Sequence, residues 1–100
     1  MIKKENSGKA FRIIEHYGVA HQKVKLCEEC GELIQALCKS LSTEDSPEIN
    51  SDIIEEFADV EVLIMQFQTI MGAYWFGELE RTIGRKLDRQ LERMESESVK

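Results

Sequence analysis

Two short acidic stretches hold the residues best suited to chemistry. The first is "CEECGE", Cys27 to Glu32, which brings three carboxylates and two thiols into six positions. The second is "EFAD", Glu56 to Asp59, inside the apolar run "DIIEEFADVEVLIMQFQTIM". On a helical wheel of about 100° per residue, Glu28, Glu29 and Glu32 share one arc, with Glu29 nearest its apolar edge. Glu56 and Asp59 fall in the same sector as Val60, Leu63, Phe67 and Ile70. The chain thus sets two acids on a stripe that continues as hydrocarbon. Stripping water from an ionised carboxylate costs several kcal/mol unless something compensates.

Basic side chains are scarce nearby: Lys23, Lys25 and Lys39 flank the first motif, and none flanks the second up to Met71. Converging carboxylates without cations repel and raise one another's pKa. A hard divalent cation resolves the conflict, because oxygen ligands at helical spacing i and i+3 project together. Glu29/Glu32 and Glu56/Asp59 are two such pairs. On neighbouring antiparallel helices they would form a four-carboxylate cage. With neither sulfur nor imidazole in it, that cage favours Mg²⁺, with Mn²⁺ as a substitute, over Zn²⁺.

The elements that must position these acids are helices. The apolar period predicts four: about Ser7 to Tyr17, Val19 to Leu41, Pro47 to Met71 and Glu78 to Met94. Gly18 stops the first. Ser46 is the expected N-cap of the third, with Pro47 in its first turn. "GAYWFG" is read as the break before the fourth, and residues 1–6 and 95–100 as frayed ends. Leu26, Cys27, Cys30, Leu33, Ile34, Leu37, Cys38 and Leu41 form a broad apolar arc, read as the core stripe of the second helix. The third helix is apolar around most of its circumference and should be buried on most sides. No stretch alternates as a strand does, so the fold class is all-α, a four-helix bundle-like arrangement in a single domain spanning residues 1–100.

Composition limits the partners. Thirteen Lys and Arg face 19 Asp and Glu, a net charge of −6. That balance argues against nucleic acid, which is held by basic clusters. An acidic protein still accepts an anionic substrate where a divalent cation inverts the local charge. No apolar run reaches the roughly 20 residues that span a bilayer, and "MIKKENSGKA" lacks the apolar centre of a signal peptide. Three cysteines, an odd number, fit a reducing compartment. The expected location is cytoplasmic, without membrane or nucleic-acid partners.

"EECGE" followed, after 23 intervening residues, by "EFAD" resembles the paired EExxE and ExxD motifs of MazG-like nucleoside triphosphate pyrophosphohydrolases. The resemblance covers roughly Val19 to Leu91. It implies an all-α, MazG-type fold completed by oligomerisation, as a homodimer or homotetramer. The implied activity is Mg²⁺-dependent hydrolysis of a nucleoside triphosphate to monophosphate and pyrophosphate by attack of a metal-activated water. Carried over by position, Glu29, Glu32, Glu56 and Asp59 match the metal ligands, and Glu28 matches the first motif glutamate, a catalytic candidate. In "GRKLDRQLERM", Lys86 and Arg89 become candidates for the substrate phosphates. Gln22 and Trp75 are candidates for nucleotide contact.

The remaining conspicuous residues read as structural. Cys27 and Cys30 form C-x-x-C inside a helix, not at the strand–helix junction of a thioredoxin-like site, and with Cys38 they are expected to pack as small core hydrophobes. His16 and His21 flank Gly18 and are read as turn residues. Neither stands three residues after a motif glutamate, so the Glu-x-x-His signature of di-iron bundles is missing. "YWF", Tyr74 to Phe76, is read as a plug at the end of the bundle. The competing reading is a non-catalytic helical interaction module with a surface acidic face. Such a module has no need of Glu56 and Asp59 on an apolar stripe.

Overall fold

A computed structural model describes residues 4–44 and 46–99. It is all-helical over those residues: α1 (Lys4–Tyr17), α2 (Val19–Leu41) and α3 (Pro47–Val99). Among the described residues no helix is long and apolar enough to cross a membrane.

Local chemistry explains the breaks. Gly18 takes φ 89° and ψ 157°, a region essentially confined to glycine, and its N–H donates to the Ile14 carbonyl at 2.8 Å. The chain there leaves α1 and enters α2 within one residue. At the end of α2 the Lys39 carbonyl accepts from the Ser42 N–H at 3.2 Å and from the Ser42 and Thr43 hydroxyls, each at 3.1 Å. These bonds satisfy an otherwise orphaned helix-end acceptor. Ser46 Oγ accepts from the Ile49 N–H at 3.2 Å, so the expected N-cap is present ahead of Pro47.

The predicted break at "GAYWFG" shrinks to one residue. Gly72, with φ 83° and ψ 169°, kinks α3, and helix resumes at once on its far side. Tyr74, Trp75 and Phe76 therefore lie on helix and are exposed, Tyr74 most of all at 81%. Having only one residue unable to continue the helix, the segment needs no loop. Lys4 to Asn6 and Glu95 to Val99, expected to fray, are helical as well, while residues 1–3 and Lys100 lie outside the described set.

The chain divides into two compact units, one ending at Ile70 and one starting at Met71. In the first, the buried side chains among the described residues are Ala10, Ile14, Val60, Leu63 and Phe67, together with the amides Gln22 and Gln66. Val60, Leu63 and Phe67 belong to the stripe that holds Glu56 and Asp59, whose last apolar member, Ile70, is exposed. The second unit is a helical arm whose Ile83, Leu87, Leu91 and Met94 are exposed at spacings of four, four and three.

Burial within the first unit corrects the expected core of α2. Its only buried residue is Gln22. Leu26, Cys30 and Leu33 are half-buried, while Cys27, Ile34, Leu37, Cys38 and Leu41 are exposed. Cys27 and Cys38 are thus not core hydrophobes in the single chain. Nor is α3 covered on most sides, for Ile54, Phe57 and Val62 are exposed. A pair of helices buries one seam, and an apolar arc wider than that seam stays open.

Candidate metal centre

The seam between α2 and the first arm of α3 (residues 47–71) is antiparallel, and its register can be followed pair by pair. Gln22 Nε2 donates to Gln66 Oε1 at 2.8 Å. Seven residues on from Gln22 is Glu29, and seven back from Gln66 is Asp59. Another seven in each direction reaches Ala36 and Asp52, which line one groove with Lys39 and Ile49. Every forward step on α2 is matched by an equal backward step on α3.

That register brings Glu29, Glu32, Glu56 and Asp59 together. Each offers one carboxylate oxygen, and the four oxygens lie within 4.8 Å of one another. A cluster of that size can surround one ion whose oxygen ligands stand about 2.0–2.6 Å from it. Glu29 and Glu56 form the inner side. Each has an Oε2 atom shut away from solvent with no hydrogen-bond partner. Glu32 and Asp59 are exposed and form the outer side. The arrangement is closed toward the protein and open toward solvent.

Electrostatics agree with the geometry. Burial pushes the Glu29 carboxyl above its ordinary pKa, and a hydrogen bond to Glu32 with the charges of Glu32 and Asp59 pushes it further. Lys25 opposes this from 3.6 Å. The same ammonium stands 3.5 Å from Glu28, and its own pKa is raised by Glu28 first and Glu29 second. Lys25 is half exposed, so this pairing offsets little of the crowding.

The other sequence candidates fall in different places. Glu28 is exposed beside Lys25 and is not among the four clustered acids. Gln22 is buried in the seam, with its amide taken by Gln66 and by His21 Nδ1, which donates to its Oε1 at 2.6 Å. Lys86 and Arg89 share a shallow concavity of about 100 Å³ with Gln90 and Arg93 on the arm after Gly72, and Trp75 is exposed on that arm. His16 and His21 are helical, not turn residues; the His21 ring stacks on Tyr17 at 5.0 Å, and His16 meets the edge of Tyr17 at 4.8 Å.

Sequence reasoning missed Gln66. It is only 2% exposed, more buried than most of the hydrocarbon around it. The available signal was its spacing, since Gln22 and Gln66 each stand seven residues outside a motif acid. A groove of about 230 Å³ also opens directly from the acids, lined by Glu32 and Glu56 with Gln35, Lys39 and Asp52.

Comparison with protein-family models, with curated proteins and with solved structures gave no match.

Proposed function

We propose that the chain is a Mg²⁺-dependent nucleoside triphosphate pyrophosphohydrolase of the MazG-like kind, releasing monophosphate and pyrophosphate. One observation carries the reading: four carboxylates converge within 4.8 Å, and two of them bury an oxygen that no protein donor reaches. A surface acidic face of a non-catalytic module would keep those oxygens in water. Leaving them dry and unpaired is costly unless a cation completes the site. The donor set, all oxygen, suits Mg²⁺ or Mn²⁺.

In this reading Glu29, Glu32, Glu56 and Asp59 hold the ion. A bound Mg²⁺ would neutralise phosphate charge and lower the pKa of a coordinated water. Glu29 and Glu56 keep the inner side dry, which strengthens every electrostatic contact made there. The exposed side, at Glu32 and Asp59, admits the triphosphate. Glu28, just outside the cluster, is assigned to accept a proton from the attacking water. Little covalent work falls to side chains in phosphoryl transfer, so positioning and charge dominate. Lys86 and Arg89 remain candidates for the phosphates, and Trp75 for the base.

The apolar surface left open in the single chain, at Ile34, Ile54, Phe57 and Val62, supports completion of the bundle by a second copy. The assay that tests the function is pyrophosphate release from a panel of ribo- and deoxyribonucleoside triphosphates, with Mg²⁺ and with chelator. Mg²⁺-dependent release from at least one nucleotide is expected. No release from any member of the panel would leave the helical-module reading standing.

A further inference from the structure

We propose that Gln22 and Gln66 are positioning residues that pin the register of the seam and so hold the acid cage in alignment. The proposal rests on the cation-site reading for its functional consequence, but its structural content can be tested separately.

Among the described residues, Gln22 and Gln66 are the buried polar side chains, 4% and 2% exposed, and they are joined to each other across the seam. A hydrogen-bonded amide pair in a dry seam adds little net stability, because both amides gave up water to form it. Apolar side chains of the same size would hold two helices together as well or better. What an amide pair adds is discrimination. Sliding one helix by a turn separates the amides and leaves each facing hydrocarbon, whereas Val60, Leu63 and Phe67 can find apolar neighbours in more than one alignment. Single buried polar layers are known to specify register in helix pairs in this way.

The position of the pair supplies the link to the acids. Glu29 and Asp59 each stand seven residues away, two helical turns or about 10 Å along the axis. Seven is the repeat at which a seam position recurs, so aligning Gln22 with Gln66 also aligns Glu29 with Asp59 and, one turn on, Glu32 with Glu56. Without a cation these four acids repel, and their own interactions favour separation. The Gln22–Gln66 hydrogen bond crosses the same seam and opposes that separation. His21 completes the device. Its Nδ1–H donates to Gln22 Oε1, which turns the Gln22 amide so that Nε2 points to Gln66, and its ring is stacked on Tyr17.

The test uses the near-isosteric double variant Q22M/Q66M, with Q22M alone as a control, in a background whose three cysteines are replaced by serine. Spin labels at two introduced cysteines, one for Lys23 and one for Glu61, report the seam alignment, and electron resonance of free Mn²⁺ reports binding with nucleotide present. The double variant is expected to fold and to melt no lower than Q22M, which leaves Gln66 unpartnered. Its label distance should broaden or split where the parent shows one population, and its Mn²⁺ affinity should fall at least tenfold. A single parental distance in the double variant overturns the pin, and so does parental Mn²⁺ affinity. If the parent itself binds no Mn²⁺, the cation reading is what fails, and the label distances alone decide the pin. If the double variant does not fold, the same two readouts on Q22M decide in the same sense.

Discussion

Glu29 and Asp59 face each other across the seam between α2 and α3, with carboxylate oxygens no more than 4.8 Å apart, and the half-exposed Lys25 stands 3.6 Å from Glu29. Two like charges placed this way oppose folding of the metal-free protein, and the sign of that opposition is measurable. The Glu29 pKa is raised above its ordinary value, first by burial and then by Glu32 and Asp59. The folded protein keeps this proton at pH values where the unfolded chain has lost it. Stability from this group is complete below about pH 4.3, the usual glutamate value, and is lost as pH rises through the raised value. Glu29→Gln, which cannot ionise, should therefore be more stable than wild type at neutral pH in chelator, with the advantage shrinking in acid. Urea midpoints across the acid-to-neutral range check this. An offset that does not change with pH would contradict it.

Cation binding should reverse the penalty. An ion that binds only the folded state stabilises by mass action, about 2.7 kcal/mol at a hundredfold excess over its Kd. Thermal melting in Mg²⁺ with nucleotide should rise by roughly 10 °C or more for a chain of this size. Glu32→Gln and Asp59→Asn should lose most of that rise while melting no lower than wild type in chelator. Melting curves of those variants that shift as far as wild type would remove both residues from the ligand set.

The same two substitutions should reduce pyrophosphate release by about a hundredfold or more, the scale on which loss of one electrostatic stabiliser acts. Glu28→Gln should lower kcat while leaving Mg²⁺-induced stabilisation in place, since Glu28 stands outside the cluster. Paired measurements of rate and melting separate the two roles. A Glu28 variant that loses both would make it a ligand instead.

Entry into α3 rests on one side chain. Ser46→Ala removes the acceptor for the Ile49 N–H and should destabilise the protein by about 1 kcal/mol, while Ser46→Asp should retain the cap. Gly18→Ala should cost about 1–3 kcal/mol, because a side chain is strained at φ 89°, although open space surrounds the position. Denaturant unfolding measures both. A neutral Gly18→Ala would mean that the α1–α2 joint adopts a different backbone conformation.

The helices and the acid pairing were legible because each depends on local chemistry. The Ser46 cap, the stop at Gly18 and the i, i+3 spacing of the acids are written within a few residues of where they act. The register was not, since it shows in the pairing of Gln22 with Gln66, a residue that a polarity scale places in solvent. Burial on α2 was misjudged for a related reason. An apolar arc containing Ile34, Leu37 and Leu41 states that the face seeks cover, not that the same chain provides it. The break at "GAYWFG" was overestimated because two glycines suggest a loop, whereas only Gly72 leaves the helical region.

The most direct test is a Mn²⁺ titration of the purified protein, followed by the resonance of the free ion, with and without a nucleoside triphosphate. At least one ion per chain should leave solution, and the binding should disappear in the Glu29→Gln/Glu56→Gln double variant, which keeps the helices but neutralises the dry side of the cluster. A free-ion signal that stays undiminished in both conditions would mean that the four carboxylates gather without a cation to hold.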